Sequence, residues 1–277
     1  MNIISKEKQI QVLKAPVEGN SIRSTERMTE IHRDTIMRLL VRVGNKCQKI
    51  MDNRLCDFHC RRIQVDEIWT FVKKKEKRLT NKEKLDSTLG DQYVFVALDA
   101  DSKLVPTFVV GKRNTETTLR FIFGLESRLK GNGRIQLTTD GFKSYIEAVE
   151  EAFGPDIDFA QLIKLFGSDD AGSGRYSPPK VTEVISKVIN GNPNPKFIST
   201  SYVERQNLTM RMQIRRFTRL ANGFSKKIEN LKAALALHFA YYNFMRIHQT
   251  LRVTPAMEAG ITDHVWEWRE ILNYGLN

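Results

Sequence analysis

Residues 63–72 read Ile63-Gln64-Val65-Asp66-Glu67-Ile68-Trp69-Thr70-Phe71-Val72, a run rich in β-branched and aromatic residues. Such residues fit a pleated, partly buried backbone, so the run predicts a core strand. Two acids, Asp66 and Glu67, stand inside this strand, where a carboxylate without a partner would be costly. A cation shared with other acids would stabilise them.

The residues that follow predict a sheet covered by helices. Strands over 92–98 and 104–110 flank Asp99-Ala100-Asp101-Ser102, which predicts a hairpin whose turn is stabilised by Asp side chains. Hydrophobic periodicity then predicts a helix over 115–129, a strand over 135–139, a helix over 145–153, a strand over 159–165 and a helix over 225–245. The expected fold class is α/β, with a mixed sheet flanked by helices.

The chain before residue 63 is predicted to be helical. Helices are expected over 6–15, 21–28 and 33–43, and the last two have the lengths and short connection of a helix-turn-helix. The buried stripe of the last helix leaves polar residues free to contact DNA, and these are Arg33, Thr35, Arg38 and Arg42. A plain helical hairpin fits the same pattern, so both interpretations stay open.

Two features mark the chain after residue 166. Residues 167–200 are dense in Gly and Pro and are predicted to form an irregular surface insertion. Ser201 and Glu204 then have the spacing of a capping box, which predicts that a helix begins there. The arginines expected at successive turns of this helix are Arg211, Arg215 and Arg219. Glu204 is either only the cap of its helix or an acid of a metal site.

Positive charge is concentrated in two segments of the 277 residues, which carry a formal net charge of +12. Residues 1–62 hold 13 Lys/Arg against 7 Asp/Glu, and residues 205–252 hold 10 against 1, whereas residues 63–204 are neutral. Clustered cations favour a polyanionic partner such as nucleic acid, because binding releases condensed counterions. Within the neutral part, the Lys-rich stretch 73–84 is predicted to be an exposed loop.

The cysteines indicate a reducing compartment, because Cys47, Cys56 and Cys60 cannot form a disulfide framework. Zinc held by these thiols and His59 is an alternative, but adjacent His59 and Cys60 suit one tetrahedral site poorly, so reduced thiols are preferred. No stretch reads as a signal peptide or a membrane span. We therefore expect a cytoplasmic protein without a membrane role.

Three acids are candidates for metal-assisted phosphodiester chemistry, which needs hard oxygen ligands converging on one or two Mg²⁺ or Mn²⁺ ions. Asp66 lies in the first core strand, Asp140 follows a later strand, and Glu204 begins a helix that can pack across the sheet. In a regular strand Glu67 points to the face opposite Asp66, so it is excluded from the same site.

Two aromatic residues and one histidine are also assigned roles from the sequence. Trp69 and Phe71 are interpreted as core residues. His248 is interpreted either as a DNA contact or as a hydrogen-bonded packing histidine.

Several segments together carry a resemblance to a known family. They are Val65-Asp66-Glu67-Ile68-Trp69, Thr138-Thr139-Asp140-Gly141-Phe142, Ser201 to Asn207, Tyr242-Asn243-Phe244, Arg246-Ile247-His248-Gln249-Thr250-Leu251 and Thr254-Pro255. The chain resembles transposases of the insertion sequence 1 family over about residues 17–262, most specifically over 199–260. The resemblance implies a ribonuclease H-like catalytic domain whose Asp-Asp-Glu triad cuts and rejoins DNA at the ends of a mobile element.

Carried onto this sequence, the resemblance implies that Asp66, Asp140 and Glu204 form the triad and hold two Mg²⁺ or Mn²⁺ ions. It also implies that Arg211 is the basic position following the glutamate. Residues 1–60 would be the helix-turn-helix module that binds terminal repeats of double-stranded DNA, and residues 61–277 the catalytic domain. Arg215 and Arg216 are expected to contact phosphates. Bringing two element ends together implies a homo-oligomer. The expected location is a prokaryotic cytoplasm, on the nucleoid when the protein is bound to DNA.

Two departures from the family pattern stand out. Some relatives have a cysteine-paired zinc ribbon before the helix-turn-helix, and no cysteine precedes Cys47 in this sequence. The separation of 64 residues between Asp140 and Glu204 is long, and the insertion at 167–200 accounts for the excess. Two alternatives are kept: a DNA-binding protein without catalysis, such as a domesticated transposase, and a ribonuclease H-like nuclease.

Overall fold

A mixed sheet of six strands lies at the centre of the chain, which a computed structural model describes over residues 4–129, 131, 133–167, 181–218 and 222–275. The strands are β1 (Arg62–Val72), β2 (Gly90–Asp99), β3 (Phe108–Gly111), β4 (Ile135–Thr139), β5 (Ile157–Phe166) and β6 (Val181–Asn190). Their order in the sheet is β3-β2-β1-β4-β5-β6. The β1–β2, β2–β3 and β5–β6 pairs are antiparallel, and the β1–β4 and β4–β5 pairs are parallel.

Helices accompany the sheet. They are α1 (Lys6–Val17), α2 (Ile22–Thr29), α3 (Arg33–Arg54), α4 (Thr115–Glu126), α5 (Ser144–Phe153), α6 (Ser201–Gln213), α7 (Ile228–Ala240), α8 (Pro255–Glu258) and α9 (Trp268–Asn273). The α/β prediction, a mixed sheet flanked by helices, is confirmed. Within the described residues, no helix is both long and apolar enough to cross a membrane.

The predicted core strand is β1, and it occupies the middle of the sheet with β2 on one side and β4 on the other. The hairpin at the acids is also confirmed: the Asp99 carboxylate accepts hydrogen bonds from the backbone N–H groups of Asp101 and Ser102. The strand that returns from this turn begins only at Phe108, because the backbone N–H and carbonyl of Val105 bond to the side chain of Asn243 and Pro106 has no N–H to donate.

Helix α3 is much longer than predicted, because its buried stripe continues through Cys47, Ile50 and Met51. This continuation packs against α7 at a close crossing. A Cβ atom at Gly44 would lie 2.5 Å from the carbonyl oxygen of Ala233, so only glycine lets the two backbones approach this far. The end of α3 thereby shares the main hydrophobic core, while the division of the chain at residue 60 stays a prediction.

Replacing Gly44 with Ala is expected to destabilise the protein by about 1–3 kcal/mol, because the added methyl overpacks the crossing. Gly124 in α4 is the matched control: its Cβ would meet nothing within 4 Å, so Gly124→Ala is expected to stabilise by about 0.5–1 kcal/mol. Urea unfolding measures both changes. Equal stabilities for the two variants would contradict the close crossing.

Two predictions after residue 166 are wrong. Residues 181–190 are not irregular but form β6, because this stretch is rich in β-branched Val, Ile and Thr residues, which favour a strand despite the Gly and Pro on either side. Residues 168–180 lie outside the described residues. The capping box at Ser201 is not formed either: the N-cap is Thr200, and the carboxylate of Glu204 bonds to side chains instead.

The prediction that arginines stand at successive turns along α6 is also wrong for Arg215. The helix stops at Gln213, and Arg215 lies in the 3₁₀ turn that follows, so Arg211 and Arg215 are not successive turns of one helix. The third residue of the predicted line, Arg219, lies outside the described residues.

Candidate metal site at the end of strand β4

Three carboxylates converge where β4 ends beside β1. The parallel register between these strands runs to Gln64 opposite Thr138, so Asp140 follows β4 at the level of Asp66 and Glu67. One oxygen from each carboxylate lies within 4.8 Å of the other two. In the described part of the chain, these three residues are the only such group of His, Cys, Asp or Glu side chains. We call Asp66, Glu67 and Asp140 the carboxylate cluster.

The exclusion of Glu67 from this site is wrong. Alternation does send Asp66 and Glu67 toward different helices, since Asp66 contacts α6 and Glu67 contacts α5. However, the β1–β4 register stops at Gln64, so no strand backbone separates the two side chains on that edge. The longer Glu67 side chain can therefore bring its carboxylate near the other two.

Asp66 and Asp140 each keep capacity for a further ligand. An Asp66 oxygen accepts a hydrogen bond of 2.8 Å from Nδ2 of Asn207 in α6. Asp140 accepts one of 3.0 Å from the backbone N–H of Phe142, and its other oxygen lies 3.7 Å from the guanidinium of Arg113. The buried Oδ1 atom of Asn207 has no hydrogen-bond partner among the described residues. An unused buried acceptor beside the cluster fits a site that takes a further ligand.

Glu67, in contrast, has both oxygens occupied. One is paired with Arg113, just before α4, and the other accepts a hydrogen bond of 2.9 Å from the hydroxyl of the buried Tyr145. Arg113 is itself held over the ring of Phe142, 3.9 Å from its centroid. Glu67 is thus a buried, fully partnered acid that positions Arg113 between itself and Asp140.

Glu204 lies in the first turn of α6 but outside the carboxylate cluster. Its carboxylate is held by the ammonium of Lys164 and accepts a hydrogen bond of 2.5 Å from the hydroxyl of Thr200. Its charge nevertheless acts on Asp140, whose pKa it helps to raise. Glu204 is therefore near enough for its charge to act on Asp140, while it is paired with a lysine from β5.

Crowding of like charges makes the cluster unfavourable when all its acids are ionised. Burial raises the pKa of Asp66 to about 7, and the charges of Glu67 and Asp140 add to this effect. Burial, followed by the charge of Asp140, raises the pKa of Glu67, against the lowering by Arg113 and Tyr145. Burial likewise raises the pKa of Asp140. A divalent cation would relieve this repulsion, and an all-oxygen donor set suits Mg²⁺ or Mn²⁺.

The raised pKa of Asp66 gives an expected pH dependence of stability. Between the unfolded pKa of Asp66, near 4, and its folded pKa, about 7, the folded state holds a proton that the unfolded state has lost. The contribution of Asp66 to the free energy of unfolding of the wild type therefore falls as pH rises through this range. In EDTA, Asp66→Asn should therefore gain stability over the wild type by at most about 1.4 kcal/mol per pH unit across this range.

The comparison of variant with wild type is necessary because the buried His238 has the opposite effect. Burial lowers the pKa of His238 to about 3, so its contribution to stability grows as pH rises toward 6.5. Both proteins contain His238, and its effect cancels in the difference between their urea unfolding free energies. A difference that stays constant from pH 4.5 to 7 would contradict the raised pKa of Asp66.

The predicted basic residues differ in exposure. Arg33, Arg38, Arg42 and Arg215 are exposed, whereas Thr35 and Arg211 are half-buried. Arg216 is half-buried and donates a hydrogen bond of 2.9 Å to the hydroxyl of Ser225. His248 is half-buried with Nδ1 3.1 Å from the Thr250 hydroxyl, and burial lowers its pKa.

Two other interpretations are tested by the structure. Trp69 and Phe71 are half-exposed and do not belong to the core, so that prediction is wrong. Cys47, Cys56, His59 and Cys60 do not form a group that could hold zinc in the part of the chain that the structure describes.

Sequence reasoning missed four residues that support the site: Arg113, Tyr145, Lys164 and Asn207. For Asn207 a signal was available, because it follows Glu204 by three residues and therefore shares its helix face. The other three reach the site from separate elements, and no local pattern marks them.

Comparisons with known proteins give little further information. No family model and no curated protein match the sequence. Among solved structures, the chain is similar to the "Crystal structure of the Mos1 Strand Transfer Complex" (15% identity, TM-score 0.24) and the "Crystal structure of a pre-cleavage Mos1 transpososome" (12% identity, TM-score 0.24). The matches cover 57% of this chain and 59% and 60% of those chains. Such TM-scores are too low to transfer fold or function.

Proposed function

We propose that this protein is a DNA transposase that cuts and joins strands at the ends of a mobile element through Asp66, Asp140 and Glu204. The observation that carries this proposal is the convergence of three half-buried carboxylates at the end of β4, with the charge of Glu204, in the first turn of α6, acting on Asp140. Membership of the insertion sequence 1 family is part of the proposal, on the motifs that resemble it.

In the proposed site, Asp66 and Asp140 hold Mg²⁺ or Mn²⁺ and Glu204 completes the donor set. Two such ions, when bound, activate an attacking oxygen and stabilise a leaving oxygen. Asn207 orients Asp66, and Glu67 keeps Arg113 beside Asp140. Water cuts a phosphodiester at the element end, and the freed 3′ hydroxyl then attacks target DNA in a second in-line displacement.

Double-stranded DNA is the proposed partner, bound as element end and as target. The exposed arginines of α3 would read the end within the module at residues 1–60, while Arg211, Arg215 and Arg216 would contact phosphates without reading sequence. A homo-oligomer would hold two ends together. The proposed location is the prokaryotic cytoplasm, on the nucleoid when bound.

The proposal is tested by an assay of strand cleavage and joining. The substrates are labelled duplexes that carry the terminal sequences of the element encoding this protein. With Mg²⁺ we expect nicked and joined products, and with EDTA we expect end binding without products. End binding with neither cleavage nor joining, in Mg²⁺ and in Mn²⁺, would favour the DNA-binding protein without catalysis. Cleavage without joining would favour the nuclease.

A further inference from the structure

We propose that Trp69, Phe71 and Phe224 form a surface on which unpaired DNA bases stack beside the carboxylate cluster. We call these three side chains the aromatic row. The inference rests on the proposed function, because it assigns the path of a DNA strand near the site.

The ring of Phe71 contacts both other rings, and all three remain partly open to solvent. The centroids of Trp69 and Phe71 are 5.8 Å apart, and those of Phe71 and Phe224 are 5.0 Å apart. All three residues are half-buried, and among the described residues none joins the hydrophobic core or packs against it. Exposed neighbouring aromatic rings are what unpaired bases stack on, since every base has a π face.

The row lies on the same face of β1 as Glu67. Residues two apart in a strand share a face, which places Glu67, Trp69 and Phe71 in line. The β2 residue opposite Glu67 is Phe95, which is fully buried against α4 and α5. Opposite Trp69 the partner is the half-buried Tyr93. Among the described residues, α4 and α5 therefore cover this face of the sheet beside Glu67, whereas the face along the row is only half-buried.

Phe224 is brought to the row by a specific connection. Ser225 forms a parallel bridge with Val72, and its carbonyl oxygen accepts a hydrogen bond of 2.8 Å from the backbone N–H of Lys73. This bridge lays the residues before α7 along the end of β1. The row is therefore assembled from β1 and the segment leading into α7.

Cations flank the row. The ammonium of Lys75 lies 5.6 Å from the centroid of the Trp69 ring. On the other side, a Cβ at Gly223 would lie 2.8 Å from the carbonyl oxygen of Arg215, so the exposed Arg215 is next to Phe224. The nearby acid Glu76 is paired with Lys112 at 2.8 Å. Phosphates of a strand crossing the row would thus meet positive charge.

The row is also close enough to serve the site. At about 3.3 Å per residue, Trp69 and Phe71 lie about 7 and 13 Å along the strand from Glu67. A strand with a phosphate at the cluster can therefore place neighbouring bases on the rings. Only bases that have left the duplex stack offer their faces, so we infer single-stranded or locally opened DNA as the ligand.

Binding in EDTA tests this inference without requiring catalysis. Fluorescence anisotropy would compare a labelled 20-nucleotide oligo(dT) with a 20-base-pair duplex. For Trp69→Ala and for Phe71→Ala we expect single-strand affinity to fall roughly five- to 150-fold, with duplex affinity changed less than about twofold. Trp69→Phe should restore most of the affinity. Phe123→Ala removes a more exposed aromatic ring from α4 and should change neither affinity.

Two anisotropy results would overturn the stacking surface: unchanged single-strand affinity in both alanine variants, or an equal loss of affinity for single strand and duplex. A third contrary result would come from light scattering, if Trp69→Ala dissociated an oligomer without altering single-strand affinity. The last would make the row a protein contact. Failure of the proposed function is seen separately, because the wild type would then lack cleavage in Mg²⁺ whatever the alanine variants bind.

Discussion

Replacing Asp66 or Asp140 with Asn is expected to slow Mg²⁺-dependent strand cleavage by about a thousandfold or more, because each variant removes a charged oxygen donor from the proposed metal site. Protein stability should not fall with activity. Neutralising either acid removes like-charge repulsion, so the free energy of unfolding in EDTA is expected to stay the same or rise at neutral pH. Single-turnover cleavage and urea unfolding measure the two effects.

Asp156→Asn is the matched control for this prediction, because Asp156 is an exposed acid away from the cluster. It should cleave at the wild-type rate. Retention of more than about a tenth of the wild-type rate by both cluster variants would remove Asp66 and Asp140 from the catalytic site.

Glu204→Gln and Glu67→Gln are expected to differ in severity. Glu204 is proposed to bind metal, so its loss should reduce cleavage by about a thousandfold. Glu67 has both oxygens engaged by Arg113 and Tyr145, and its loss should reduce cleavage by roughly 10–100-fold through disturbed support of the site. Raising the Mn²⁺ concentration should restore part of the activity of Glu67→Gln, since its metal ligands remain.

The alternative role of Glu204, capping its own helix, has a matched control in Glu229, an exposed acid in the first turn of α7. Glu229→Gln should leave cleavage unchanged and alter stability only slightly. If Glu204→Gln behaved like Glu229→Gln, Glu204 would be a helix-terminal residue without a catalytic role. If Glu67→Gln were the more damaging variant, the third metal ligand would be Glu67.

The parts of the fold that depend on local pattern could be predicted from sequence. β1 was recognisable because Val, Ile and aromatic residues are concentrated there, and the turn at Asp99 because Asp bonds to nearby backbone N–H groups. β6 was missed because the Gly and Pro residues around it were given more weight than its own β-branched residues. The predicted helix over 33–43 is shorter than α3, because the buried stripe continues through Cys47, Ile50 and Met51 and was not followed beyond residue 43.

The site was predictable only in part, because its side chains meet through tertiary packing. Asp66 and Asp140 could be paired from their places at core strands. The contacts of Glu67 with Arg113 and Tyr145 join residues 46 and 78 positions apart, and no local pattern encodes them. Trp69 and Phe71 were interpreted as core residues, and this was wrong because the sequence of a strand does not show how far helices cover it.

Mn²⁺ binding, followed by electron paramagnetic resonance at pH 7.5, tests the central claim most directly, because it requires neither DNA nor catalysis. We expect the wild type and Asp156→Asn to bind Mn²⁺, and Asp66→Asn and Asp140→Asn to lose that binding. Equal Mn²⁺ binding by the wild type and both cluster variants, or none by the wild type, would contradict a metal site at the end of β4.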